Sequence, residues 1–189
     1  MKTIWKSIKM TVIISLFLGL FYVAVLWVFA QCTTPDKGNV EVVTINGQIV
    51  GAANVGQKFT QDIYFWGRPS CAGNGYNGTD SHGSNKGPTD SVYLNEVETR
   101  IDTFLMHHPY LQRNEVPAEM ITASGSGLDP DITPVCAYVQ VKRVAAARGM
   151  SENQVQAIVD EHIQKPFLGL FGPYKINVLK LNVALDKAQ

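Results

Sequence analysis

A single mixed α/β domain carried on one membrane-spanning helix is the architecture this sequence predicts, and three observations predict it. Residues Met10 to Ala30, 21 in a row, contain no charged side chain. Short β-branched or alternating runs stand near the start and the end of the remaining chain. Between those runs, apolar residues recur at helical spacing, and strands flanking helices suggest a mixed domain rather than a bundle.

The uncharged run comes first. As a helix it rises about 31 Å, which matches a hydrocarbon core of about 30 Å and allows one crossing. Lys2, Lys6 and Lys9 precede it, while the segment after it carries only Lys37 against Asp36 and Glu41. Positive charge marks the cytoplasmic end of a span. Residues 1–9 are therefore expected inside, 10–30 in the membrane and 31–189 outside. Trp5 falls at the inner headgroup belt, and Tyr22 and Trp27 lie toward the outer one. A cleaved signal peptide has an apolar region of about 7 to 15 residues ending in small residues. Here the run is longer and ends Val28-Phe29-Ala30-Gln31-Cys32. Gln31 is not the small residue a lipoprotein cysteine needs before it, so a retained anchor is predicted.

In the outer part, Val40–Ile45 is β-branched, Asn46-Gly47 is a strong two-residue turn signal and Gln48–Val55 returns, a predicted hairpin. Phe59–Trp66 reads as a further strand or extended segment. From Asp90 to His108, Val97, Ile101, Phe104 and Leu105 fall on one helical face, closed by Pro109. A second helix has Thr133 as its cap, Pro134 at its first position, Val135, Tyr138, Val141 and Val144 as its stripe, and Gly149 as terminator. A third opens with the Ser151/Gln154 capping box, buries Val155, Ile158, Val159 and His162, and stops before Pro166. Tyr174–Leu181 alternates enough to be a strand.

Charge narrows the function. The 189 residues carry 16 basic and 16 acidic side chains. Setting aside the three N-terminal lysines leaves 13 against 16, a mildly acidic outer part with a net charge of −3. Nucleic acid is not an expected partner, because phosphate binding wants a basic face. The 159 residues after the span suit one domain with one core. Cys71 and Cys136 would face an oxidising space, where they either pair or remain two small unpaired side chains; no cysteine spacing resembles a zinc site.

The motifs are weak. Gly73-Asn74-Gly75-Tyr76-Asn77-Gly78 spells GxGxxG, but no strand precedes it and no helix opens at its third glycine, so a structured loop is expected. The nucleotide-cradling GxxxxGK[ST] pattern is absent. Asp80, Ser81 and His82 have the residue types of a hydrolase triad, yet a triad is assembled from separated segments. His107, His108 and His162 read as helix-end or core histidines. Asn77-Gly78-Thr79 is a formal glycosylation sequon. Glu119, Asp129 and Asp131 surround a Ser-Gly loop, but a calcium loop needs a denser acidic pattern, and turns and caps explain them. No catalytic residue and no metal ligand is assigned.

One block carries a likeness: Val116-Pro117-Ala118-Glu119-Met120-Ile121-Thr122-Ala123-Ser124-Gly125-Ser126-Gly127-Leu128-Asp129-Pro130-Asp131-Ile132. It continues through Tyr138-Val139-Gln140-Val141-Lys142-Arg143-Val144-Ala145 and Ala147-Arg148-Gly149-Met150. Phe65 with Gly67-Arg68-Pro69-Ser70, Gly83-Ser84-Asn85, Asn177-Val178-Leu179-Lys180-Leu181-Asn182 and Ala184-Leu185-Asp186 complete it. With the single N-terminal span, these blocks resemble the C subunit of the Kdp potassium-transporting P-type ATPase over nearly the whole chain. Cys71 and Cys136 depart from that likeness, standing where small residues such as alanine are expected, as does Lys142 where proline is usual.

The resemblance implies a bacterial inner-membrane complex. A channel-like A subunit conducts K⁺, a B subunit hydrolyses ATP, a small F subunit assists, and membrane lipid surrounds them. It implies a non-catalytic accessory subunit with no tightly bound cofactor, with K⁺ carried by the partner. The subunit would support assembly and raise the B subunit's affinity for ATP as a catalytic chaperone. Gln140 matches the glutamine associated with nucleotide contact, although as a helix residue making local hydrogen bonds it needs no ligand. The alternative from another class is a free-standing, membrane-anchored periplasmic binding module.

Overall fold

The computed structural model describes residues 2–188. Met1 and Gln189, the outermost positions of the predicted tail and outer domain, lie outside it. The described residues form two compact units, one ending at Glu41 and one beginning at Val42.

The first unit is a helix. Helix α1 (Lys2–Leu16) leads through a π-wound turn (Phe17–Tyr22) into α2 (Val23–Thr33). The three run on without a break as one apolar helix of 32 residues, Lys2–Thr33. The predicted 10–30 run lies inside it. None of its residues is buried by protein, and large apolar side chains such as Leu20 and Trp27 point outward all round. A helix that is apolar on every side suits a lipid environment. The π winding widens the turn around Gly19, where Phe17 and Phe21 stack.

The second unit is the mixed α/β domain. Its hairpin pairs β1 (Val42–Ile45) with β2 (Gln48–Ala52), Ile45 opposite Gln48. Asn46 and Gly47 supply the two positive φ values, 51° and 79°, that let the turn follow the strand twist. Helix α3 (Ser91–His107) starts at Asp90, whose carboxylate accepts the Tyr93 N–H at 3.0 Å. That bond and Lys86 hold the Asp90 carboxyl below its usual range. Strand β3 (Asp131–Ile132) pairs antiparallel with β4 (Ile176–Asn177). Helix α4 (Pro134–Arg148) ends at Gly149 with φ 67°, and α5 (Glu152–Glu161) opens with the Ser151/Gln154 capping box in both directions. The chain closes with α6 (Val178–Lys187).

The core gathers Phe65, Phe104, Ile132, Val144, Val155, Val159, Ile176, Leu181 and Leu185. Three expectations are corrected here. Only two residues of Tyr174–Leu181 are strand, because the Asn177 side chain accepts the Lys180 N–H at 3.0 Å and starts a helix. Helix α6 then buries Val178, Leu181, Asn182 and Leu185 at a spacing that alternation had mimicked. On α4, Val135 and Tyr138 are exposed while Cys136, Ala137, Gln140, Arg143 and Arg148 are buried, so the inward face is rotated from the expected stripe. Thr133 stands at the cap position, but its side chain makes no capping bond and donates instead to Glu119 at 2.7 Å. The fold nevertheless keeps its predicted class, because the helix and hairpin signals were local and mutually consistent.

Candidate functional site

The segment 62–66, within the run Phe59–Trp66 expected to be a strand or extended, is not a strand and opens in a turn, where the Tyr64 N–H donates to the Gln61 carbonyl at 3.1 Å. Its backbone is bound by side chains from two helices. Arg143 donates to the Asp62 and Tyr64 carbonyls at 2.6 and 3.0 Å, and Arg148 donates to the Ile63 carbonyl at 2.6 Å. Asn182 takes both polar groups of Phe65, accepting its N–H at 2.8 Å and donating to its carbonyl at 3.0 Å. Gln140 does the same for Trp66, accepting at 2.8 Å and donating at 3.2 Å. Every carbonyl from Asp62 to Trp66 thus has a side-chain donor. An unpaired buried backbone group is costly, so α4 and α6 substitute for the missing neighbouring strand.

Gln140 is wholly buried, and its carboxamide is saturated. Beyond Trp66, its oxygen accepts from Arg143 Nη2 at 2.8 Å and its nitrogen donates to the Cys136 carbonyl at 2.9 Å. An amide offers two donors and two acceptor positions, and all are engaged inside the domain.

Arg143 is also stacked over Trp66, 4.2 Å from the ring centre, and its Nε donates to His108 Nε2 at 2.9 Å. His108 Nδ1 lies 2.7 Å from the Phe104 carbonyl, so that nitrogen carries the proton and the ring is neutral. Burial, with the Arg143 cation adding to it, lowers the His108 pKa to about 4. Burial also draws Arg143 down to about 10, which leaves it charged at neutral pH. Arg148, with 2% of its side chain exposed, is neutralised by Asp186 at 2.7 Å.

Beside this network lies a cleft of about 470 Å³. Trp66, Phe104 and Met120 give it an apolar wall, while Lys58, Arg68, Arg100 and His107 bring positive or titratable groups to it. Asp129 orients Arg68 at 3.2 Å, Glu96 orients Arg100 at 3.5 Å and Asp62 orients His107 at 2.8 Å. Arg68 Nε is buried and makes no hydrogen bond. Two hydroxyls lining the cleft donate to backbone carbonyls, Thr103 to Thr99 and Ser70 to Gly127. Ser70 also accepts the Ala72 and Tyr76 N–H groups, which folds the glycine-rich stretch over the cleft. Tyr76 donates to the Arg68 carbonyl, and burial pushes its pKa up to about 12.

The other residues singled out by sequence do not converge. Glu119 accepts from Thr133 and from Cys136 Sγ, Asp129 pairs with Arg68, and Asp131 pairs with Lys175 at 2.6 Å. Ser81 donates to the Ser126 carbonyl, and His82 lies 3.9 Å from Asp80. Among the described residues Cys32, Cys71 and Cys136 are free thiols, and burial raises the Cys136 pKa to about 12. No group of three or more potential metal-ligating side chains gathers among the described residues. Sequence reasoning gave Arg143, Arg148 and Asn182 no part in a site, while His108, read as a helix-end or core histidine, is buried at the end of α3.

Fold and site together define a membrane-associated protein with one apolar N-terminal helix and a small mixed α/β domain. Comparison with known proteins makes this particular. The KdpC family, described as the c chain of the K⁺-transporting ATPase, matches residues 4–187, and the chain belongs to it. It is 67% identical to the potassium-transporting ATPase KdpC subunit of Phocaeicola vulgatus over 189 residues, with 100% of each chain covered. The subunit of the same name from Bacteroides thetaiotaomicron is 66% identical over 187 residues, 99% of each chain. That of Caldanaerobacter subterraneus is 42% identical over 180 residues, 95% of this chain and 92% of the relative.

Proposed function

We propose that this chain is the accessory subunit of a high-affinity, ATP-driven potassium uptake complex, working beside a channel-like A subunit, an ATP-hydrolysing B subunit and a small F subunit. The observation that carries the reading is the family match over residues 4–187. The cytoplasmic N-terminus and extracytoplasmic domain follow from the lysines at positions 2, 6 and 9. The apolar helix packs among the membrane subunits, where Gly19 and Ala24 permit close approach. The outer domain supports assembly and gating at the K⁺ entry side.

ATP enters this reading only through the complex. A domain outside the membrane does not meet cytoplasmic nucleotide, so any gain in the B subunit's ATP affinity passes through the membrane subunits. Gln140 serves that role indirectly, by fixing Trp66 and with it the cleft wall. Its saturated hydrogen bonding supports this assignment over direct contact with a nucleotide.

Co-purification is the test. The tagged chain is extracted in mild detergent, its partners are identified by mass, and K⁺-stimulated ATP hydrolysis is assayed. Stoichiometric recovery of an ATP-hydrolysing subunit with activity is expected. A chain that purifies alone from cells expressing all subunits would sink the proposal in favour of a free-standing anchored module.

A further inference from the structure

The sequence after α5 builds an apolar projection with no role in the core. Phe167, Leu168, Leu170 and Phe171 are 71%, 74%, 80% and 64% exposed, and Tyr174 stands beside them. The projection is constructed rather than frayed. Phe167 and Phe171 exchange backbone hydrogen bonds at 2.9 and 3.0 Å, and Gln164 and Lys175 do so below them at 2.8 and 3.1 Å. The tip turns through Leu168 and Gly169 at φ 53° and 74°. A leucine rarely adopts that conformation, which opposes the chain's own preference while leaving its side chain in water. Four large apolar side chains displayed together on a convex tip mark a contact surface.

We propose that this tip, Phe167 to Phe171, inserts into the interfacial layer of the membrane in which the chain's own N-terminal helix is anchored. Two observations favour lipid as the occupant. Only residues 34–41 join the apolar helix to β1, a tether reaching at most about 28 Å, so the domain is confined to the membrane surface. From His162 to Leu185 the sequence has no carboxylate. Lys165 is exposed at the base of the tip, Tyr174 flanks it, and Asp131 is neutralised by Lys175. Aromatic and aliphatic tips with basic flanks suit the headgroup boundary, where rings lie among acyl chains and lysines meet lipid phosphate. The inference needs the anchor but neither its orientation nor the accessory-subunit reading.

The test uses the full-length chain in vesicles of phosphatidylethanolamine and phosphatidylglycerol. An environment-sensitive fluorophore is placed at Leu170→Cys, in a Cys32→Ser, Cys71→Ser background that leaves only the buried Cys136. Asn95→Cys, on the α3 face shared with Glu98 and Asp102, is the control. Blue-shifted emission at 170, with quenching by lipids brominated near the headgroup several-fold stronger than at 95, is the expected result. Water-like emission and equal quenching at the two positions would overturn it. So would a tip that is exposed in the isolated chain and becomes shielded only when other subunits are added, which would assign it to a protein partner.

Discussion

Replacing Gln140 by leucine distinguishes a residue that holds the fold from one that holds a ligand. Leucine keeps most of the volume but removes all hydrogen bonding. The Trp66 N–H and carbonyl, bonded at 2.8 and 3.2 Å in a part-buried site, both lose their partner. Each orphaned group costs about 1–3 kcal/mol, and Arg143 Nη2 loses one acceptor while keeping the Tyr64 carbonyl. The gain from burying leucine offsets part of this, leaving a net loss of about 3–4 kcal/mol. At about 2–4 °C per kcal/mol for a domain of this size, Tm falls by about 6–16 °C. The assay is thermal unfolding of the full chain in detergent by circular dichroism, alongside the ATP dependence of hydrolysis in the assembled complex. An unchanged Tm together with a several-fold weaker apparent ATP affinity would refute the argument, because the carboxamide would then be spent on nucleotide and not on Trp66.

Three further outcomes follow from the same geometry. His108 has a folded pKa of about 4 against about 6.5 unfolded, so the unfolded chain binds the extra proton between those values. Its contribution of about 3 kcal/mol is present above pH 6.5 and lost as pH falls to 4, and melts at stepped pH should show that slope diminished in His108→Gln. Gly127 has φ 68°, and a Cβ there would lie 2.7 Å from both Ala72 N and the His82 carbonyl oxygen. Gly127→Ala should therefore destabilise by about 3 kcal/mol or more, read by denaturant midpoint. Ser151→Ala removes the α5 capping box and should cost about 1 kcal/mol in the same measurement.

Much of the scaffold was legible because it is encoded locally. Asn46-Gly47, Pro134 with Gly149, and Ser151 with Gln154 each act within a few residues, and each forms where the sequence placed it. The site was not legible for the opposite reason. Gln140, Arg143 and Arg148 look like surface residues on a helix wheel, since nothing nearby in sequence shows that their heads meet the backbone of 62–66, some 75 to 85 positions away. Asn182 has the same ambiguity across 117 positions. The Phe59–Trp66 run is not a strand and turns at residues 61–64, and the groups satisfying its backbone were invisible because they are side chains of helices distant in sequence.

That substitution has a functional consequence. A strand pairs through backbone groups, which nearly any residue supplies, whereas this segment is held by four particular side chains, two of them buried cations. Each long side chain is fixed at both ends: Arg143 by Trp66, His108 and two carbonyls, Arg148 by Ile63 and Asp186. Removing one partner strands a buried charge, so the parts are coupled and respond as a unit. Trp66 is the point where this unit reaches the cleft. A displacement of Trp66 is thereby transmitted to α4 and α6 through stiff, fully bonded side chains rather than dissipated in a loop. Rigidity of that kind holds the cleft wall in one geometry, and it explains why so small a sheet is accompanied by so extensive a polar interior.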